Sequence, residues 1–298
     1  MLQPVNKWHV HIGLHRTATT NLQNTLALVR DQLREQGVDY PTREMLRKNR
    51  LVDRYFKQRN GLAGLLPDAY FRWKFLSNLN KALTGLPTLI FSEEQWVGEV
   101  PDILHQPCYP NLNDRITRLM RFIGKKDVTL FLSLREYSSI YTSAYSQALR
   151  QAEKYSKKDL PGLFRNAAVR PPNWVDLVRR VKAAAPGVPL RIWTFEDYIR
   201  NPKPILETYT GVNLPAWPTL DAPESTRGLS LETIEEILDI PSDLSKKERY
   251  AIVRKIAAVD KGTTKFDPFT AEEKLTLKSQ YASDLQTIER ESPGIFIR

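Results

Sequence analysis

The run Trp8-His-Val-His-Ile-Gly-Leu-His-Arg-Thr-Ala-Thr-Thr-Asn-Leu-Gln23 constrains the fold more than any other stretch of this chain. Trp8, Val10 and Ile12 alternate with histidines, the period of a strand with one apolar face. The run breaks at Gly13 and passes through small hydroxyl residues. It then enters a stretch where Leu22, Leu26, Val29 and Leu33 recur at the spacing of one helical stripe, with Gly37 as the stop. The periodicity predicts a helix from about Thr20 to Gln36. Strand, tight loop and helix in that order gather backbone N–H groups at a helix N-terminus, where an anion is held. Gly13 to Thr20 follows the spacing of the phosphate-binding loop G-x-x-x-x-G-K-[ST], with Ala18 in place of the second Gly and Thr19 in place of Lys. Arg16 is the strong cation inside the loop. The pattern is a phosphate cradle without the lysine a nucleoside triphosphatase uses.

Three further apolar runs follow turn signals: Pro87-Thr-Leu-Ile-Phe-Ser92, Val128-Thr-Leu-Phe-Leu-Ser-Leu-Arg135 and Pro189-Leu-Arg-Ile-Trp-Thr-Phe195. Apolar runs without strict alternation are strands buried on both faces, and strands that alternate with helices pair in parallel. Gly37-Val-Asp-Tyr-Pro41 is a candidate for one more short strand. Residues 231–238, 245–258 and 271–291 read as helices. The expectation is therefore one α/β domain over residues 1–298, with a parallel sheet flanked by helices in a P-loop-like three-layer architecture. Residues 42–86 form a helical, basic insertion expected to cover an acceptor site, and 225–298 a helical C-terminal part.

The net charge is +10, and seven basic residues fall between Arg43 and Arg59 against Glu44 and Asp53. Such a cluster either steers an anionic ligand toward a cleft or is a solvated helix face. No helix-turn-helix, zinc-finger or aromatic RNA-binding pattern accompanies the charge, so no nucleic-acid partner is expected. A single cysteine, Cys108, excludes an internal disulfide. No leader opens the chain and no apolar run approaches the ~20 residues needed to span a bilayer. These features lead to the expectation of a soluble, cytoplasmic protein; its oligomeric state is left open.

Arg135 ends a buried strand, on the side where open α/β sheets bind ligands, and Ser143 lies one to two turns into the next helix. The pair can share a phosphate through a charge-assisted fork, or serve as a structural ion pair and a surface hydroxyl.

Taken together, Gly13-Leu-His-Arg-Thr-Ala-Thr-Thr-Asn-Leu-Gln23 resembles the 5′-phosphosulfate loop of sulfotransferases that use PAPS (3′-phosphoadenosine 5′-phosphosulfate). Arg135 and Ser143 stand at the Arg-x7-Ser spacing of that family's 3′-phosphate motif. Arg191 to Pro202 is similar to its strand and following helix, and the segment from Lys261 through Phe269 and Tyr281 to Asp284 is similar to its closing segment. Residues 42–86 carry none of the resemblance. It implies PAPS as donor, PAP as product and no metal. It also implies that His15, Arg16, Thr17, Ala18, Thr19, Thr20 and Asn21 bind the 5′ end. Arg16 would offset charge on the bridging oxygen as the S–O bond breaks. Arg135, Ser143 and Lys261 would hold the 3′-phosphate, and Phe195 either stacks on adenine or is a core aromatic. Ala18 narrows the loop if its backbone needs positive φ.

The acceptor hydroxyl or amine needs a base, and the resemblance points to Glu93 first, with Glu94 in reserve, in Phe91-Ser-Glu-Glu-Gln-Trp96. Acids just past a strand also serve as helix starts. His9 and His11 read as structural, His105 as a loop residue. No histidine, cysteine and acid share metal-ligand spacing, and no metal site is expected. The acceptor fits a carbohydrate, a glycolipid or another small molecule, with an anionic one suited to the basic balance. The alternatives are a P-loop phosphotransferase (kinase) and a non-catalytic PAP-binding module.

Overall fold

The computed structural model describes residues 6–47, 70, 73, 77, 79, 83–124, 127–155, 157–158, 160–220, 228–260 and 262–298. The chain enters through strand β1 (Lys7–His11), helices α1 (Thr19–Leu28) and α2 (Arg30–Glu35), strand β2 (Val38–Asp39) and helix α3 (Arg43–Arg47). Strand β3 (Thr88–Ser92), two 3-10 turns (Glu94–Trp96 and Val100–Leu104), helix α4 (Leu112–Ile123) and strand β4 (Asp127–Leu134) follow. Helices α5 (Tyr137–Arg150), α6 (Leu160–Val169) and α7 (Trp174–Ala184) lead to strand β5 (Leu190–Thr194). Helices α8 (Phe195–Arg200), α9 (Lys203–Thr210), α10 (Leu231–Leu238), α11 (Lys246–Ala258) and α12 (Ala271–Glu291) complete the described elements.

All strand pairings are parallel, in the order β2-β3-β1-β4-β5, so β1 sits in the middle with Val10 registered between Phe91 and Leu130. The side-chain alternation of each strand builds the two faces. Trp8, Val10, Ile12, Leu89, Phe91, Leu130, Leu132 and Ile192 join one core with α4, α5, α7 and α12. Ile90, Phe131 and Trp193 point the other way, into a core with α1, α2, α8 and α9. Each such side chain contributes on the order of 1.5–3 kcal/mol on burial, which commits both faces of the sheet to helices. This is the three-layer α/β architecture the strand and helix pattern implies.

Two boundaries differ from the sequence expectation. The predicted helix 20–36 is divided at Val29 (φ −100°, ψ 13°) into α1 and α2. A β-branched residue is a weak helix former, yet Leu33 N–H still donates to the Val29 carbonyl at 2.9 Å and all four stripe residues stay buried. The short strand at 37–41 pairs only over Val38–Asp39, since Pro41 has no N–H for a ladder. The insertion expected over 42–86 lies mainly outside the described residues. Within it Leu79 is buried, while Tyr70 and Trp73 are exposed with ring centroids 6.3 Å apart.

The C-terminal helices start on caps: Ser230 accepts from Thr233 N–H, and Ser245–Glu248 and Thr270–Glu273 form capping boxes. The last residues return to the sheet beside β5, where Ile192 N–H donates to Ile295 (2.9 Å) and Ile297 N–H to Ile192 (2.7 Å). Among the described residues no helix is long and apolar enough to cross a membrane.

Candidate functional site: the loop after the central strand

The loop from Gly13 to Ala18 leaves the C-terminal end of β1, between β3 and β4, and is held from beneath. His11 is fully buried, with Nδ1 3.0 Å from Ser92 Oγ on β3 and Nε2 3.2 Å from Ser133 Oγ on β4. Burial pushes this imidazole down to about 3, although the Gly13 backbone opposes the shift, so the ring is neutral and able to bond both ways. Ser133 Oγ donates to the Gly13 carbonyl at 2.9 Å and shares a contact of 2.5 Å with Thr17 Oγ1. The Leu14 carbonyl accepts from Thr17 Oγ1 (2.6 Å) and Thr19 Oγ1 (3.2 Å). Two of the hydroxyls assigned to the ligand by resemblance thus also brace the loop.

The other side of the loop is open. Among the described residues none accepts a hydrogen bond from the backbone N–H groups of residues 17–21, and Ala18 adds no side-chain cap to α1. These amides stand at the positive end of a 10-residue helix. Ala18 sits at φ +65°, ψ 21°, in the left-handed region, and Arg16 at φ +66°. The glycine position of the loop pattern is therefore used by alanine in a glycine-like conformation, at a cost of roughly 1–2 kcal/mol.

Two guanidinium groups meet this open side. Arg16 Nε donates to Ser143 Oγ (2.8 Å) and Nη1 to Gln147 Oε1 (3.3 Å), both on α5. Arg135 Nη1 donates to the Arg16 carbonyl (2.7 Å), Nε donates to Ser139 Oγ (2.9 Å), and its carbon Cζ lies 4.0 Å above the centre of the Phe195 ring. Burial and the neighbouring Arg135 push Arg16 down to about 10, with Glu94 opposing, so Arg16 still carries its charge at neutral pH. Burial likewise lowers Arg135. Ser143 is brought to Arg16 rather than to Arg135, and one face of Phe195 is covered by Arg135.

Several more residues are placed plainly. Asn21 spends its amide inside the fold, accepting from Tyr198 (2.9 Å) and donating to the Leu220 carbonyl (3.0 Å). Thr20 is half-buried beside it. His15 is buried, its Nδ1 3.0 Å from the Tyr109 hydroxyl, with the rings stacked at 5.9 Å. Lys261 lies outside the described residues. The two carboxylates past β3 diverge. Glu93 is fully buried, accepts from Gln95 N–H at 3.3 Å and acts on Tyr40. Glu94 is half-buried, lies against Gly13, and acts electrostatically on Arg16 and Tyr109. Glu94 is the acid on the loop side.

The closing helix α12 reaches the same end of the sheet. Tyr281 donates to Glu196 at 3.0 Å, and Tyr137 donates to Asp284. Asp284 also accepts from Trp174 N–H at 3.0 Å, and the indole N–H of Trp174 donates to the Arg135 carbonyl at 3.0 Å. Tyr281 and Asp284 act on the backbone and surroundings of Arg135. Among the described residues no three His, Cys, Asp or Glu side chains form a group that could hold a metal.

Sequence reasoning passed over Ser133, Ser92, Gln147 and Tyr109. Two of them left a signal: a serine inside a buried apolar strand needs a partner, and His11 is registered against Ser92. Tyr109 left none, since it reaches His15 across 94 residues of chain.

No family model matches this chain, and no curated protein matches it. Among solved structures it is similar to the crystal structure of a sulfotransferase from Alicyclobacillus acidocaldarius. The identity is 15% and the TM-score 0.43, with 85% of this chain and 96% of that chain covered.

Proposed function

We propose that this chain is a sulfotransferase that moves a sulfonate group from PAPS to a hydroxyl or amine of an acceptor, a carbohydrate or glycolipid. The observation that supports it is the meeting of Arg16 and Arg135, from two different elements, at a phosphate loop with no lysine. A donor with phosphates at two ends of its ribose needs two anion sites, whereas a triphosphate needs one continuous channel. PAPS supplies the activated sulfonate when bound. The amides of residues 17–20 and the Thr20 hydroxyl hold the 5′-phosphate. Arg135, aided by Lys261, holds the 3′-phosphate, and the free face of Phe195 takes adenine.

Arg16 offsets the negative charge that develops on the bridging oxygen, and its bonds to Ser143 and Gln147 fix it without reorganisation. Being charged throughout, it does not act as a proton donor. Glu94 removes the proton from the attacking acceptor, because it is the carboxylate beside the loop, while Glu93 is committed to the turn after β3.

The test is ligand-dependent melting followed by transfer. PAP and PAPS are expected to raise Tm without Mg²⁺, and ATP with Mg²⁺ to leave it unchanged; the reverse pattern overturns the reading in favour of a kinase. Arg135→Ala is expected to weaken PAP at least tenfold more than adenosine 5′-phosphosulfate, which lacks the 3′-phosphate. Equal weakening removes the 3′-phosphate assignment. Transfer of radiolabelled sulfonate from PAPS to components of a cell extract then identifies the acceptor, and PAP binding without any transfer leaves a non-catalytic module.

A further inference from the structure

A cavity of about 390 Å³ lies past the C-terminal end of α5, lined by none of the loop residues. Its wall is cationic: Lys154, Lys157, Lys158 and Arg249 all border it. Arg249 is 2% exposed, which places a guanidinium in the interior. Its Nη1 donates to the Ile240 carbonyl (3.2 Å) and its Nη2 to the Ile237 carbonyl (3.3 Å), while Nε is buried with no partner. Lys154 Nζ donates to the carbonyls of Ser242 (2.7 Å) and Leu244 (3.2 Å).

Of the carboxylates nearby, Asp239 pairs with Lys157 in the wall itself at 2.6 Å, and Glu153 pairs with Lys246 at 2.8 Å. Among the described residues no carboxylate forms a salt bridge with Lys154 or Arg249. Carbonyl oxygens carry only partial charge, so they orient these two cations without neutralising them. A buried guanidinium without a counter-ion is costly, and each cation keeps donors to spare: Arg has five and Lys three. The remaining wall is a half-buried Tyr155, packed on Tyr145 at 5.0 Å, with Leu238 and Ile240. An aromatic ring beside apolar side chains suits the face of a sugar ring, and the volume lies at the small end of ligand sites.

We infer that this cavity binds a sugar residue bearing a sulfate or phosphate ester, with the oxyanion on Lys154 and Arg249 and the ring against Tyr155. The inference rests on the sulfotransferase reading only in naming the source of that sugar, a saccharide acceptor that already carries an anionic group. The site would then fix where along such an acceptor the new group is placed.

The experiment is calorimetric titration of the full chain with glucose 6-sulfate, glucose 6-phosphate and glucose. Binding of the two esters and not of glucose is expected. Lys154→Glu should weaken the esters at least tenfold with PAP affinity unchanged, Lys154→Arg should restore them, and Arg16→Ala should leave them within twofold. Equal affinity in the wild type and Lys154→Glu, no preference for the esters over glucose, or loss of ester binding in Arg16→Ala overturns the site. Because PAP affinity is measured on the same proteins, its loss or absence sinks the sulfotransferase reading separately from the cavity.

Discussion

The two sides of one short loop are built on opposite principles. Beneath it, His11, Ser92, Ser133 and Thr17 form a buried network in which side-chain polar atoms meet one another or the Gly13 and Leu14 carbonyls. Above it, the amides of residues 17–21 have no partner among the described residues, and two desolvated guanidiniums crowd together. A polar network is stabilising when every member is satisfied. Uncompensated donors and like charges are tolerated when the rigid side holds them and a ligand supplies the missing anion. The contrast separates residues that shape the loop from residues that use it.

The largest effect should come from the acids that border the two sides. Glu94→Gln is expected to lower kcat by about 10²–10⁴, the usual contribution of a general base, with PAP affinity unchanged. Glu93→Ala should instead lower Tm while leaving most of the turnover, because it removes the acceptor of the Gln95 N–H in the turn after β3. A steady-state comparison of the two variants, with melting curves, decides which acid faces the acceptor. The opposite pattern would restore Glu93 as the base.

A second, smaller effect concerns the underside. His11 is neutral in the fold, with its ordinary value near 6.5 pushed down to about 3. The unfolded chain therefore binds one more proton between these values. Its contribution to stability is complete above about pH 6.5 and is lost as the pH falls toward 3. Between pH 6.5 and 5 the loss amounts to roughly 2 kcal/mol from this residue. His11→Asn should begin less stable and show a flatter dependence in urea titrations at pH 5–7. An identical slope would mean that the ring is solvated and the underside is not the closed network described.

The smallest effect tests the hinge between the two sides. Ala18→Gly relieves a left-handed alanine, offset by the greater freedom of glycine in the unfolded chain, for a net gain of up to about 1 kcal/mol. PAP affinity should stay within twofold, since the open amides keep their positions. A marked gain in affinity would show that the Cβ of Ala18 narrows the cradle.

Much of this was legible in the residues themselves. The runs at 87–92, 128–135 and 189–195 are too apolar to be anything but strands covered on both faces, and the observed strands lie within them or extend one residue beyond. The three C-terminal helices carry their caps in the sequence, at Ser230, Ser245 and Thr270. Loop spacing alone predicted the strand–loop–helix turn from Gly13 to Thr20, because the pattern is local: a few consecutive residues set the backbone that leaves the amides open. The Val29 break escaped notice because a stripe of buried residues tolerates a local turn without losing its contacts.

What tertiary structure decided is everything that joins distant segments. Local chemistry determined an α/β chain whose first strand runs through a loop of phosphate-loop spacing, with Arg16 inside it and Thr19 at the lysine position, into a helix. Only the packing of β3, β4 and α5 around β1 decided that Ser143 serves Arg16 rather than Arg135, and that Asn21 is spent on Tyr198 and Leu220. Packing likewise set Glu94 beside Gly13, where it acts electrostatically on Arg16. The reason is physical: spacing along a chain sets which face a side chain leaves from, whereas the partner it meets is set by long-range burial. A residue such as Tyr109, seated under His15 from 94 positions away, has no counterpart in any local pattern.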